Sequence, residues 1–274
     1  MEYNSRIIEQ FNSWAPLFKD FIESQDMNDL FGYIKQRAVS GAKVLPPSTT
    51  NPFRAFAETN KDKLKCIICS NGPYATVIET KTKQKIPVAD GLAISCGTTW
   101  KEKGLTPVLE QIYNSWEDTY NPFLDVDMIH DGDLLYLAQQ GVLLYNIGLT
   151  VEENKPGSHN NIWQKFNKYF WEEIINKYYR GLPIIFMGPE AQKSINYLTP
   201  MLHYPIPVIH PGTVTNGKWE STCWKTVDQI LWGNNREIIK WYRKKGDELP
   251  IPDNVKAWIN EDNIKSDLPW SKSN

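Results

Sequence analysis

Two polar side chains follow directly on short apolar runs: Asn146 in "GVLLYNIGLT" and His210 in "VIHPGTVT". An amide offers a donor and an acceptor together, and an imidazole changes protonation near neutral pH. A third run, "CIIC" at 66–69, leads into the turn Ser70-Asn71-Gly72-Pro73-Tyr74-Ala75, where a strand end would present a site. That turn holds no acid, no histidine and no nucleophile better than a serine. Taken singly, Asn146 reads equally well as a turn cap and His210 as a satisfied core histidine. They become a constellation only if the fold brings them to one end of one sheet.

Four apolar runs have strand length: 64–69, 141–147, 182–187 and 206–209. Each is nearly continuous and ends in a polar or Gly/Pro turn, as strands buried on both faces do. Helical periodicity fills the gaps. Residues 4–39 predict two amphipathic helices, and "PPSTTNPF" at 46–53 ends them. In 162–180, Trp163, Phe166, Phe170 and Ile174 recur at helical spacing. "TPVLEQIYNSW" (106–116) and "PEAQKSINYL" (189–198) carry Pro in the first turn, as helices tolerate. The expected fold class is α/β, three-layer α/β/α with a small central parallel sheet. Ligands then bind at the carboxyl ends of the strands, in the loops 70–75, 146–150, 188–189 and 210–215. Residues 1–60 read as an N-terminal helical extension packed on the domain, 61–245 as that domain, and 246–274 as a polar C-terminal tail.

The 274 residues are 41% hydrophobic with eleven Trp, enough for a substantial core. No apolar run is long enough to span a membrane, and the start lacks a signal-peptide pattern. Four Cys, two of them in one strand, fit reduced thiols and a cytoplasmic location of bacterial or viral type. Cys66 and Cys69 have C-x-x-C spacing, but no second pair or nearby His completes a zinc site, so neither metal nor cofactor is expected. Net charge is −2, against an indiscriminate polyanion binder. The charge is uneven: 61–103 holds eight Lys against four acids, 205–245 seven Lys/Arg against three, and 110–134 seven acids with no Lys or Arg. One basic and one acidic face would give this pattern, and a basic face is a nucleic-acid footprint. Solvated lysine-rich loops would give it too.

The block "GDLLYLAQQGVLLYNIGLTVEENKPGSHNNIWQKF" (132–166) resembles the central block of family-1 uracil-DNA glycosylases. The likeness runs over about 64–245, with "GLAISC", "TPVLEQIY", "MGPEAQK" and "VIHPGTVT" in the family's order, and with 64 residues between Asn146 and His210 (210 − 146). It implies that the turn 70–75 replaces the motif G-Q-D-P-Y-H, whose Asp positions the attacking water. That Asp is here Gly72 and the motif's His is Ala75, while Pro73 and Tyr74 remain. Ile94 takes the place of the aromatic that stacks on the base, and Val214 that of the longer wedge leucine. Pro189, after Gly188, has no N–H to give a phosphate. About eight residues are inserted within 77–90.

The resemblance implies that Asn146 reads a pyrimidine edge, helped by Tyr74, Ile94 and Asn71, and that His210 stabilises the departing base. Asp90 is the candidate for a relocated carboxylate, with Glu79 behind it; a solvated loop acid is the plainer reading of both. Pro107, Ser158, His159, Gly188, Gly212, Val214 and Lys218 are implied as DNA contacts. Two functions stay open. One is a divergent DNA glycosylase excising uracil or a modified pyrimidine. The other is a catalytically silent relative that binds DNA or a protein partner, with the 76–90 insertion as a partner surface. A monomer without membrane contact is expected in either case.

Overall fold

The computed structural model describes residues 7–47, 51–120, 128–219, 221–245 and 247. The expected tail from 246 onward therefore lies, Asp247 apart, outside the described residues. Four parallel strands form the central sheet: β1 (Cys66–Ser70), β2 (Val142–Asn146), β3 (Pro183–Met187) and β4 (Tyr204–Val208), in the order β2-β1-β3-β4. Every residue of β1, β2 and β3 is buried, which is why they read as unbroken apolar runs. β4 departs from that expectation. It is an edge strand, exposed at Tyr204, Pro205 and Pro207, because its two prolines lack the N–H groups that a further neighbour would require.

The register Cys66↔Val142 through Ser70↔Asn146, with Cys69↔Phe186 and Met187↔Val208, brings the carboxyl ends of all four strands into line. Three small antiparallel pairs surround the sheet: Val44–Leu45 with Val151–Glu152, Met128–Ile129 with Arg243–Lys244, and a hairpin of Val77–Glu79 with Lys85–Pro87.

Helices cover both faces. α1 (Ala15–Ile22) and α2 (Gln25–Val39) confirm the two helices expected near the N-terminus, and Ser24 caps the second by accepting from Met27 N–H. Phe11, Trp14, Phe18 and Phe21 are buried in the same core as the sheet. Phe18 stacks on Phe166 at 5.1 Å and meets Phe56 edge-on at 4.9 Å, while Trp14 Nε1–H donates to the Thr59 carbonyl at 2.6 Å. α3 (Pro107–Tyr120) begins at its proline. The helix expected over 162–180 is α4 (Gln164–Tyr169), then a π-helical turn Phe170–Ile175, then Asn176–Tyr178. Phe170, Trp171, Ile174 and Ile175 are all buried along this wider turn. The 189–198 helix is likewise split, α-helical over Gly188–Gln192 and 3₁₀ over Lys193–Tyr197.

The aromatic layer between the N-terminal helices and the sheet predicts a measurable cost. Phe18→Ala removes a fully buried ring and should destabilise the fold by about 3–5 kcal/mol. In urea the midpoint falls while the m-value holds.

Candidate active site

The parallel ladder continues past the strand ends. Ile147 N–H donates to the Ser70 carbonyl at 3.0 Å, and Gly148 N–H to the Asn71 carbonyl at 3.2 Å. These bonds zip the turn 70–75 against the segment after Asn146. Asn160 Nδ2 then donates to Asn71 Oδ1 at 2.6 Å, clamping the turn from a third segment. A Cβ on Gly148 would lie 2.5 Å from Asn160 Oδ1, so glycine there is what admits the clamp. Gly72 is different. Its φ is not positive, and a Cβ would sit 3.6 Å from Asn160 Oδ1 and 3.7 Å from the Gly148 carbonyl, in ordinary contact. The position accepts a side chain that this sequence lacks.

A cleft of about 530 Å³ opens here, lined by residues 70–76, by Leu92, Ile94 and Val108, by Asn154, Pro156 and Gly157, and by His210, Gly212 and Thr213. The structure thus unites Asn71, Tyr74, Ile94, His210 and Gly212 at one cleft. Asn146 is off the wall, buried one strand over as the cross-strand partner of Ser70. Among the described residues its Oδ1 has no hydrogen-bond donor. A buried acceptor without a donor costs free energy until something supplies one.

Tyr74 forms a fixed wall: its hydroxyl donates to the Ile94 carbonyl at 3.0 Å and lies 2.8 Å from Thr106 Oγ1, and burial pushes its phenol up. Ile94 has φ +61°, a strained value for a β-branched residue. Ala93 N–H, donating to the Leu144 carbonyl at 3.0 Å, docks that strained turn on β2. His210 is held by its own loop. Gly212 N–H donates to His210 Nδ1 at 3.1 Å, so the neutral ring carries its proton on Nε2, which lies 3.5 Å from Ser70 Oγ. Burial pushes the His210 pKa down and keeps the ring uncharged. Gly188, at φ +84°, lets the β3 loop pass close behind, where a Cβ would be 3.0 Å from the His210 Cβ. The site therefore holds a neutral N–H donor whose tautomer is set by the backbone.

Other expected residues lie elsewhere. Asp90 is spent on structure: Arg54 Nη1 meets its Oδ2 at 2.7 Å, Ser95 Oγ donates at 2.6 Å and Leu92 N–H at 3.0 Å. Burial pushes its carboxyl up and the Arg54 guanidinium pulls the other way. It anchors the loop that carries Ile94 and does not line the cleft; no Asp or Glu is among the described lining residues. Glu79 is exposed on the hairpin, away from the lining. His159 is 1% exposed, its Nδ1 2.9 Å from Thr150 Oγ1 and its Nε2 3.7 Å from Glu152, so it is a buried support and not a surface contact. Ser158 is exposed, but its hydroxyl accepts from Glu152 N–H at 2.9 Å. Lys218 Nζ already sits on Asp118, at 2.8 and 2.9 Å from its two oxygens. Pro107 is exposed beside the cleft residue Val108, and Val214 is half-buried against the core. Thr106, Asn154 and Asn160 were not singled out in sequence; Asn160 lies inside the quoted block, yet its contact to Asn71 spans 89 residues. Among the described residues no three His, Cys, Asp or Glu side chains group closely enough to hold a metal, and no helix is long and apolar enough to cross a membrane.

No protein-family model matches the chain. A uracil-DNA glycosylase 1 of Listeria innocua serovar 6a is 30% identical over 228 residues, covering 81% of this chain and 95% of that protein. The chain belongs to the uracil-DNA glycosylase family. A uracil-DNA glycosylase of Helicobacter pylori agrees, at 30% identity over 213 residues and 74% and 86% coverage. Among solved structures, the mimivirus uracil-DNA glycosylase shares the fold with a TM-score of 0.68 at 19% identity, covering 84% of this chain and 86% of that one. The Nitratifractor salsuginis structure matches at 0.53 and 16%, covering 85% and 94%.

Two histidines of this glycosylase-family chain, His159 and His203, are buried and His210 is half-buried; desolvation lowers the pKa of all three, that of His203 to about 4. Above about pH 6.5 folded and unfolded chains are both neutral at these rings. Below it the unfolded chain binds protons that the folded chain refuses, so stability falls with acid. Unfolding free energy should drop from about pH 6.5 down towards the His203 value of about 4, by up to about 1.4 kcal/mol per pH unit for that ring. His203→Gln should flatten that slope in urea titrations at stepped pH.

Proposed function

We propose that this chain hydrolyses the N-glycosidic bond of uracil in DNA, with the base flipped into the cleft. The observation that carries the reading is the buried Oδ1 of Asn146, without a donor among the described residues, one strand over from Ser70, whose Oγ lies 3.5 Å from the neutral ring's Nε2 of His210. Uracil N3 bears a hydrogen and satisfies that acceptor, whereas cytosine N3 is itself an acceptor and leaves it unpaired. When the bond to C1′ breaks, negative charge grows on the departing base, and His210 supplies a donor without adding a charge of its own. Such a donor stabilises a transition state by roughly 3–4 kcal/mol. Tyr74, tied at its hydroxyl, gives a rigid wall against the base, and Ile94 closes the apolar side.

One observation favours a second reading. With Gly72 at the turn, Asp90 consumed by Arg54 and no acid on the wall, nothing there orients the attacking water. A chain that recognises uracil in DNA and releases it slowly or not at all has this composition.

Single-turnover uracil release, read by cleavage at the resulting abasic site, tests the proposal. His210→Ala should slow release by about 10²–10³-fold while changing DNA affinity much less. Asn146→Ala should abolish the preference for uracil-containing over normal DNA. Loss of rate and affinity in equal measure in the His210 variant would overturn its role.

Gly72→Asp is the complementary variant. A Cβ there would be in ordinary contact and φ is not positive, so the position admits a side chain without backbone strain. A gain of tenfold or more, about 1.4 kcal/mol of barrier, is the expected outcome. No gain, with the circular dichroism spectrum intact, supports the silent binder.

A further inference from the structure

We infer that the hairpin of Val77–Glu79 and Lys85–Pro87 is a second nucleic-acid surface, an arm that continues the cleft along the phosphate backbone of bound DNA. The inference rests on the DNA reading above and adds a contact surface to it.

The arm is rooted in the cleft. Ala75 and Thr76 line the cleft immediately before its first strand, Val88 N–H closes its base on the Thr76 carbonyl at 3.0 Å, and Leu92 returns the chain to the wall. It is also held still. Ile78 packs on the main core, and Val77 packs on the small cluster of Leu45, Ala75 and Val151. At the tip, Thr80 N–H donates to the Gln84 carbonyl and Lys83 N–H to the Thr80 carbonyl, both at 2.9 Å.

Its charge is unspent. Lys81, Lys83 and Lys85 are exposed, and none makes an ion pair among the described residues, although Glu79 stands directly across from Lys85. Several lysines elsewhere sit on carboxylates: Lys43 on Glu153, Lys65 on Glu237, Lys165 on Asp26, Lys193 on Glu190, and Lys218 on Asp118. Residues 80–85 are Thr, Lys, Thr, Lys, Gln and Lys. Nothing apolar is offered there, whereas the centre of a protein interface is depleted in lysine and enriched in aromatic anchors. Lysine, threonine and glutamine are side chains that contact phosphate. Five residues separate Thr76 from Lys81, a reach of about 16 Å at about 3.3 Å per residue. Duplex DNA presents a charge every 3.4 Å or so along each strand, so several phosphates fall within that reach.

Fluorescence anisotropy on a uracil-containing duplex, with salt raised from about 50 to about 200 mM, tests the arm. Neutralising three phosphates contributes about −2.7 to the slope of log K against log salt. The triple variant Lys81→Ala/Lys83→Ala/Lys85→Ala should therefore show a slope shallower by about 2–3 and lose about 16- to 64-fold less affinity over that range. The corresponding triple Lys→Arg variant should keep the parent slope. In the unsubstituted chain, duplex DNA should shield these three amines from acetylation. An unchanged slope in the Ala variant, or amines labelled equally with and without DNA, would overturn the arm while leaving the DNA reading standing. An unsubstituted chain that holds no duplex even at the lowest salt would overturn the DNA reading and the arm with it.

Discussion

Two backbone hydrogen bonds beyond the sheet, Ile147 N–H to the Ser70 carbonyl and Gly148 N–H to the Asn71 carbonyl, set the geometry on which the site depends. They prolong the β1–β2 register by two residues, and so fix the turn 70–75 against Asn146 before any side chain acts. A one-residue slip would turn Asn146 to the opposite face of the sheet. It would also move Gly148 from beneath Asn160, where only glycine fits. The clamp from Asn160 to Asn71 is a consequence of this register.

A second constraint runs through the loop before α3. Arg54, Asp90, Ser95 and the Leu92 N–H form one polar network behind the cleft. Its product is the left-handed backbone at Ile94, which a β-branched residue adopts only when its surroundings insist. That conformation delivers the Ile94 carbonyl to the Tyr74 hydroxyl and the Ile94 side chain to the cleft. The carboxylate that sequence spacing offered for water activation thus serves to hold a wall in place. Removing it would leave Arg54 without its closest partner in a partly buried setting, a costly change for reasons unconnected with hydrolysis.

What sequence could and could not disclose follows from the range of each interaction. Runs buried on both faces announce themselves locally, so β1, β2 and β3 and the loops after them were legible, as was the placing of Asn146 and His210 after strands of one sheet. β4 was legible as a strand but not as an edge, since its neighbours depend on topology. The π-helical turn was invisible to a 3.6-residue template. Polar side chains were least legible. His159, Lys218 and Asp90 each look available in the chain, and each is claimed by a partner distant in sequence or buried under a helix: Asp90 by Arg54, 36 residues away, and Lys218 by Asp118, 100 residues away. No periodicity records such pairings.

The site is consequently uneven in a way that bears on chemistry. Asn146 stands at a strand end, one strand over from the turn 70–75, and His210 has its tautomer set by Gly212 N–H. No acid is among the described residues that line the cleft, and the turn has Gly72 where the resemblance implies a water-positioning Asp. Gly72 has no positive φ, and a Cβ there would be in ordinary van der Waals contact, so the position admits a side chain. The preserved register thus keeps a neutral imidazole and a tied tyrosine at one cleft, above a turn that carries no acid.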